Sequence, residues 1–312
     1  MSTTDSPAVA VLGGGTIGAG WAALLADAGY RVRVAVRRAE TAQAVTAAIR
    51  LHAPALAADA DALLAGLTVT TDVAEAVTAA EVVLESISER LADKQELFAA
   101  VEQAAPAEAL LLSSTSTLLP DAIGARLAQP GRVLVAHPFN PPHVIPLVEV
   151  LGGPDTEPKL VERTTEFLTA LGRTPVVLRR PIAGFIANRL QTALLREAIH
   201  LVQQGVATAA DIDDAITGSL GPRWAVVGPF QALHLGGGPG GIRQWFGHIG
   251  AGLAAGWSQL GTPDLDDEGI AELIAQTETA YGTDGYEQRV AARDRRQLAV
   301  LAALRDEEEE TR

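Results

Sequence analysis

The chain contains no cysteine, which excludes disulfides and thiolate metal sites and says nothing decisive about compartment. It has no run of about 18 apolar residues, so no membrane span is expected. The opening residues, MSTTDSPAV, lack the basic region and apolar core of an export signal, and a cytoplasmic location is the expectation. Positive charge is scarce: 24 Lys and Arg stand against 38 Asp and Glu, a formal net charge of −14. That balance argues against nucleic acid as a partner, while an anionic ligand needs only a local basic site. No metal-ligand motif and no internal repeat is found. What is present is ordinary for a soluble globular protein: 48% hydrophobic and 20% charged residues over 312 positions, enough for two cores.

The organising stretch is residues 8–21, AVAVLGGGTIGAGW. Apolar residues Val9 to Leu12 lead into Gly13-Gly14-Gly15-Thr16-Ile17-Gly18, and a helical run ends at Gly29. Strand, tight turn and helix together give the dinucleotide fingerprint on Gly13, Gly15 and Gly18. Gly13 permits the sharp turn, Gly15 the close approach of a diphosphate, and Gly18 the packing of helix on strand. The helix N-terminus, at Thr16 and Ile17, offers N–H groups to that diphosphate. The next strand, Tyr30 to Val36, ends where an NAD-binding domain normally carries Asp or Glu; here Val36 is followed by Arg37 and Arg38. Two guanidinium groups in place of a carboxylate suit a 2′-phosphate, so NADP(H) is preferred over NAD(H).

An Ala-rich helical region is read over 41–64. Apolar strands follow at 67–70, 81–85, 109–112 and 133–136. Three of them run into polar clusters, at 85–89, 113–117 and 137–140. In open α/β sheets, ligands lie beyond the carboxyl ends of the strands. The loop His137-Pro138-Phe139-Asn140-Pro141-Pro142 is stiffened by its prolines, which suits a residue that must hold a proton in place. Glu149 follows twelve positions later. Arg179-Arg180-Pro181 marks a boundary, giving a dinucleotide-binding domain over 1–180 and a helical substrate and dimerisation domain over 181–312. A helical wheel over 186–203 puts Arg189, Arg196, His200 and Gln203 on one narrow stripe, with apolar residues filling most of the rest. So wide an apolar arc predicts a helix buried on several sides, with the Asn188 amide among apolar neighbours. His143, His200, His234 and His248 fall in no motif.

These motifs resemble the L-3-hydroxyacyl-CoA dehydrogenase superfamily over nearly the whole chain. The matches are G-G-G-T-I-G at 13–18, E-R-L-A-D-K at 89–94, S-S-T-S at 113–116, H-P-F-N-P-P at 137–142, L-V-E-V at 147–150 and G-F-I-A-N-R-L at 184–190. The resemblance implies a Rossmann-like α/β domain followed by an all-helical domain that pairs two subunits. It implies His137 as the catalytic histidine, Glu149 as its carboxylate, Ser116 and Asn188 at the reacting oxygen, and Asn140, Glu89 and Lys94 near the coenzyme. Segments 221–224 and 228–230 resemble L-gulonate 3-dehydrogenase (lambda-crystallin) and carnitine 3-dehydrogenase. Segment 234–243 resembles ketoreductases of actinorhodin-type polyketide pathways.

The expected activity is NAD(P)H-dependent interconversion of a 3-oxo and a 3-hydroxy acid. An aromatic polyketide is the first substrate reading. L-gulonate, carnitine or a 3-hydroxyacyl-CoA are the alternatives, and a crystallin-like structural dimer is the non-enzymatic one. Arg223 is a candidate for a substrate carboxylate and Trp224 for the substrate pocket.

Overall fold

The computed structural model describes residues 7–310. Its strands are β1 (Ala8–Leu12), β2 (Arg31–Ala35), β3 (Leu67–Thr70), β4 (Val82–Glu85), β5 (Leu110–Ser113), β6 (Val133–Pro138), β7 (Leu147–Gly152) and β8 (Thr174–Val177). They form one sheet in the order β3-β2-β1-β4-β5-β6-β7-β8. The first six are parallel to their neighbours; β7 runs antiparallel to β6, and β8 parallel to β7. β1 is apolar and buried at every position. Such an unbroken run belongs to a strand covered on both faces. Val9 and Val11 face one core with Trp21, Leu25, Val45 and Ile49. Ala10 and Leu12 face the other, with Phe98, Val101 and Ile123. The alternation follows from the two-residue period of a strand.

The covering helices are α1 (Thr16–Asp27), α2 (Thr41–His52), α3 (Ala60–Ala65), α4 (Val73–Val77), α5 (Leu91–Ala104), α6 (Pro120–Gly124) and α7 (Pro158–Ala170). The single helical region read over 41–64 is two helices. Pro54 lies in a short tighter turn, Ala57 takes φ 53°, and α3 restarts after Asp59, whose side chain accepts from the Ala62 N–H. Proline cannot continue a helix ladder, and Asp is a strong N-cap. Strand order reverses on either side of the β1–β4 pair, so the crevice expected of a doubly wound sheet opens beyond Leu12 and Glu85.

The remaining helices are α8 (Ala187–Gln203), α9 (Ala209–Ala215), α10 (Gly221–Val226), α11 (Pro229–Gly236), α12 (Gly241–Trp245), α13 (Ala251–Trp257), α14 (Asp267–Tyr281) and α15 (Tyr286–Glu310). The chain thus divides into an α/β unit and a helical unit that begins at Ala187; the Val290–Leu298 stretch of α15 groups with the α/β unit. Among the described residues of the helical unit, Val202 is the only buried apolar side chain. Leu190 is 62% exposed, Leu195 51% and Phe230 80%. The expected burial of α8 on several sides is therefore not met by one chain, and Asn188 is half-buried rather than enclosed. The wheel detects an apolar arc without saying which molecule covers it. No helix among the described residues is long and apolar enough to cross a membrane.

Candidate active site

The glycine turn between β1 and α1 is shaped by contact. Gly13 has φ 114°, and its N–H donates to the Ala35 carbonyl at 2.9 Å. A Cβ on Gly13 would lie 2.5 Å from the Ser86 carbonyl oxygen, and one on Gly18 1.9 Å from that of Gly13. Neither position accepts a side chain. Gly15 differs: a Cβ there meets nothing within 4 Å, and as the N-cap it brings no side chain to the first-turn N–H groups. No acidic residue occupies that turn either. Open space above unclaimed backbone donors at Thr16 and Ile17 fits the diphosphate of a dinucleotide. Arg37 and Arg38 are exposed just beyond β2, next to buried Val36.

The second feature is built by the β6–β7 pairing, which sets His137 directly opposite Glu149. Residues opposed in this way project from the same face. His137 Nδ1 lies 2.9 Å from Glu149 Oε2, with both residues buried. An ionised carboxylate only accepts, so the arrangement fixes the proton on Nδ1 and leaves Nε2 for chemistry. Glu149 Oε1 accepts from the Ile186 N–H at 2.7 Å. The Phe185 ring, fully buried, packs 5.3 Å from the imidazole centroid. Phe185 has φ 48° and follows Gly184 at φ 75°, so a left-handed corner delivers both contacts. The motif at 184–190 supplies more than Asn188: its first three residues serve the dyad.

The third feature is a polar chain beneath the 113–117 loop. Glu89 Oε1 accepts from the Ser116 and Thr117 N–H groups, each at 3.1 Å, and from the Thr117 hydroxyl at 2.9 Å. The Thr115 hydroxyl also donates to it. Burial pushes the Glu89 carboxyl upward, but the Thr115 and Thr117 hydrogen bonds and the Lys94 ammonium outweigh it and hold the group below its ordinary value. Lys94 Nζ sits 3.3 Å from Glu89 Oε2 and 2.6 Å from Glu85 Oε1. The sequence places Glu85 in the polar cluster at 85–89 and assigns it no partner. The available signal was a carboxylate closing a buried run nine residues before a lysine.

Ser116 is half-buried on this loop, and Asn140 is exposed two residues beyond β6. The α/β unit therefore carries the glycine turn, the arginine pair, Glu89, Lys94, Ser116, His137, Asn140 and Glu149. Asn188, on the first turn of α8, and Arg223 and Trp224, both exposed on α10, belong to the helical unit. Among the described residues, no group of three or more His, Asp or Glu is arranged to hold a metal.

The comparisons agree with this layout. Residues 8–181 match the profile described as 3-hydroxyacyl-CoA dehydrogenase, NAD binding domain, and 184–260 match the corresponding C-terminal domain. The chain is 40% identical to an L-carnitine dehydrogenase of Streptomyces griseus subsp. griseus, covering 97% of this chain and 94% of that one. It is 39% identical to an L-carnitine dehydrogenase of Bacillus cereus, covering 93% and 90%. Among solved structures, a 3-hydroxyacyl-CoA dehydrogenase of Archaeoglobus fulgidus aligns with a TM-score of 0.67 at 27% identity, over 95% of this chain and 99% of that one. A glycine turn, a buried imidazole–carboxylate pair and a match in both domains converge on one conclusion: the chain belongs to the 3-hydroxyacyl-CoA dehydrogenase family of pyridine-nucleotide oxidoreductases.

Proposed function

We propose that this protein interconverts L-carnitine, or a close analogue carrying a quaternary ammonium group, with the matching 3-oxo acid. The observation that carries the chemistry is the buried 2.9 Å contact of His137 with Glu149. The relatives at 40% and 39% identity, both named L-carnitine dehydrogenase, support the substrate class. They favour it over the aromatic polyketide expected from segment 234–243. A net charge of −14 also gives no long-range help to a polyanionic CoA thioester.

In the oxidising direction His137 Nε2 takes the proton of the substrate hydroxyl, while Glu149 holds Nδ1–H and balances the imidazolium charge. In reduction the same nitrogen returns that proton to the ketone oxygen. The coenzyme, when bound, supplies the hydride acceptor or donor. Ser116 hydrogen-bonds the reacting oxygen as charge develops there. Asn188, Arg223 and Trp224 are assigned to substrate on their motifs: an amide for the reacting oxygen, a guanidinium for the carboxylate, and an indole face for the cation. Gly13 and Gly18 shape the turn on which Gly15, Thr16 and Ile17 hold the diphosphate, and Glu89, Lys94, Ser116 and Asn140 serve the nicotinamide end. Arg37 and Arg38 favour NADP(H) over NAD(H). A second copy of the chain covers the exposed apolar residues of the helical unit, making a homodimer.

The test follows reduced-nicotinamide absorbance with L-carnitine, L-gulonate and 3-hydroxybutyryl-CoA, alongside dissociation constants for NADPH and NADH. L-carnitine is expected to exceed the others in kcat/KM by at least about tenfold. Preference for either competitor overturns the substrate reading, and tighter binding of NADH than of NADPH overturns the arginine reading.

A further inference from the structure

Glu85 closes β4 with its side chain fully buried. Its Oε1 accepts from Lys94 Nζ at 2.6 Å and from the Ile87 N–H at 2.7 Å. Its Oε2 accepts from the Ser113 hydroxyl at 2.6 Å, and that hydroxyl accepts from the Thr115 N–H at 3.2 Å. Lys94, 1% exposed, is thus shared between two carboxylates: Glu85 in the interior and Glu89 toward the crevice. An ion pair at this depth is a poor source of stability, because its desolvation offsets its attraction. Val82, Val83 and Leu84 of the same strand, and Leu110, Leu111 and Leu112 beside it, are buried and apolar, so the position is otherwise an apolar one. A charge kept there needs a reason beyond stability.

The reason lies in what Glu85 ties together. On one side, the segment it anchors through the Ile87 N–H is the one the glycine turn rests on: a Cβ on Gly13 would meet Ser86 and Ile87 backbone atoms at 2.5–3.1 Å. On the other side, Ser113 begins the loop that carries Ser116, and Glu89 holds the same loop by its N–H groups. We propose that Glu85 is a positioning residue for the dehydrogenase reaction. It fixes the coenzyme's diphosphate turn and the Ser116 loop at one separation, through Lys94 and the Ile87 amide on one hand and Ser113 on the other. The proposal rests on the site reading above but not on the identity of the substrate. Misplacement of a reacting group by about 1 Å can cost about 100-fold in rate, so a small slackening at this hub is measurable.

Glu85→Gln keeps the shape and removes the charge; Ser113→Ala leaves the Glu85–Lys94 pair and removes only the hydroxyl. Each is assayed well below its own Tm, by kcat with L-carnitine and by fluorescence titration without substrate, with NADH as the probe because it lacks the 2′-phosphate and so reports the diphosphate turn apart from Arg37 and Arg38. Glu85→Gln is expected to raise the NADH Kd and to lower kcat, each by about tenfold, while Ser113→Ala lowers kcat about fivefold and leaves Kd unchanged. A merely structural Glu85 lowers Tm but leaves Kd and kcat of the folded protein at wild-type values, and that result overturns the proposal. If Glu85→Gln does not fold, an unchanged kcat in Ser113→Ala overturns it instead. If wild-type protein binds NADH but does not oxidise L-carnitine, the substrate reading fails alone, and the NADH titration of Glu85→Gln still decides.

Discussion

His52, the last residue of α2, is 6% exposed, and its ring stacks on that of His143 with centroids 4.0 Å apart. His143 is also buried, with Nε2 3.5 Å from Asp294 Oδ2 on the α15 stretch that belongs to the α/β unit. Arg293, next to Asp294, and Arg173 add positive charge around the pair. Burial, then the neighbouring His143, pushes His52 from 6.5 down to about 4, against the pull of Asp294. Burial lowers His143 as well, although Asp294 draws it upward. A base depressed in the folded state is protonated first in the unfolded one, so acid favours unfolding. The stability held by neutral His52 is complete above pH 6.5 and drains away as pH falls toward about 4. At about pH 5 the loss works out at about 2 kcal/mol. His52→Phe keeps an aromatic ring against His143 and removes the titration. Urea denaturation read by tryptophan fluorescence, with buried Trp21 reporting on the α/β unit, measures the difference. Between about pH 7.5 and about pH 5, wild type should lose about 2 kcal/mol more than His52→Phe. Parallel pH profiles for the two proteins would refute the reasoning.

Two further outcomes follow from the site and the helical unit. His137→Gln should lower kcat by about 10²–10⁴-fold with the coenzyme Kd unchanged; stopped turnover accompanied by lost NADH binding would mean a structural role instead. Sedimentation equilibrium should give a mass near twice the chain's 32.4 kDa, and Phe230→Asp, placing a charge where an 80% exposed ring stands, should shift it toward the monomer. A wild-type monomer at micromolar concentration contradicts the proposed pairing.

The glycine turn was legible in the sequence because its requirement is local: φ at Gly13 and close contacts at Gly18 leave no other residue type. The strands of the sheet were legible for a similar reason, as short apolar runs broken by turn residues. Pro54 was legible in principle, yet the Ala-rich periodicity around it hid the break between α2 and α3. The pairing of His137 with Glu149 was not contained in a spacing of twelve. It depends on β7 returning antiparallel, and only the family resemblance pointed to it. Glu85 was legible as part of the polar cluster at 85–89, but its pairing was not, because the lysine nine residues on meets it only in space. The burial expected around Asn188 and the α8 arc was not met within one chain for another reason: an apolar surface in sequence carries no label for the molecule that buries it.

The antiparallel step from β6 to β7 makes the proton-handling pair sensitive to the length of the chain between its members. Within the two strands, losing a single residue turns the carboxylate to the opposite side of the sheet and leaves the imidazole alone. The connection between the strands offers no slack to absorb such a loss: Pro141, Pro142, His143 and Val144 are buried, His143 lies against His52, and Arg173 donates to the Pro142 and Ile145 carbonyls. Active variants of this protein should therefore keep the twelve-residue separation of His137 and Glu149 even where they change the residues within it.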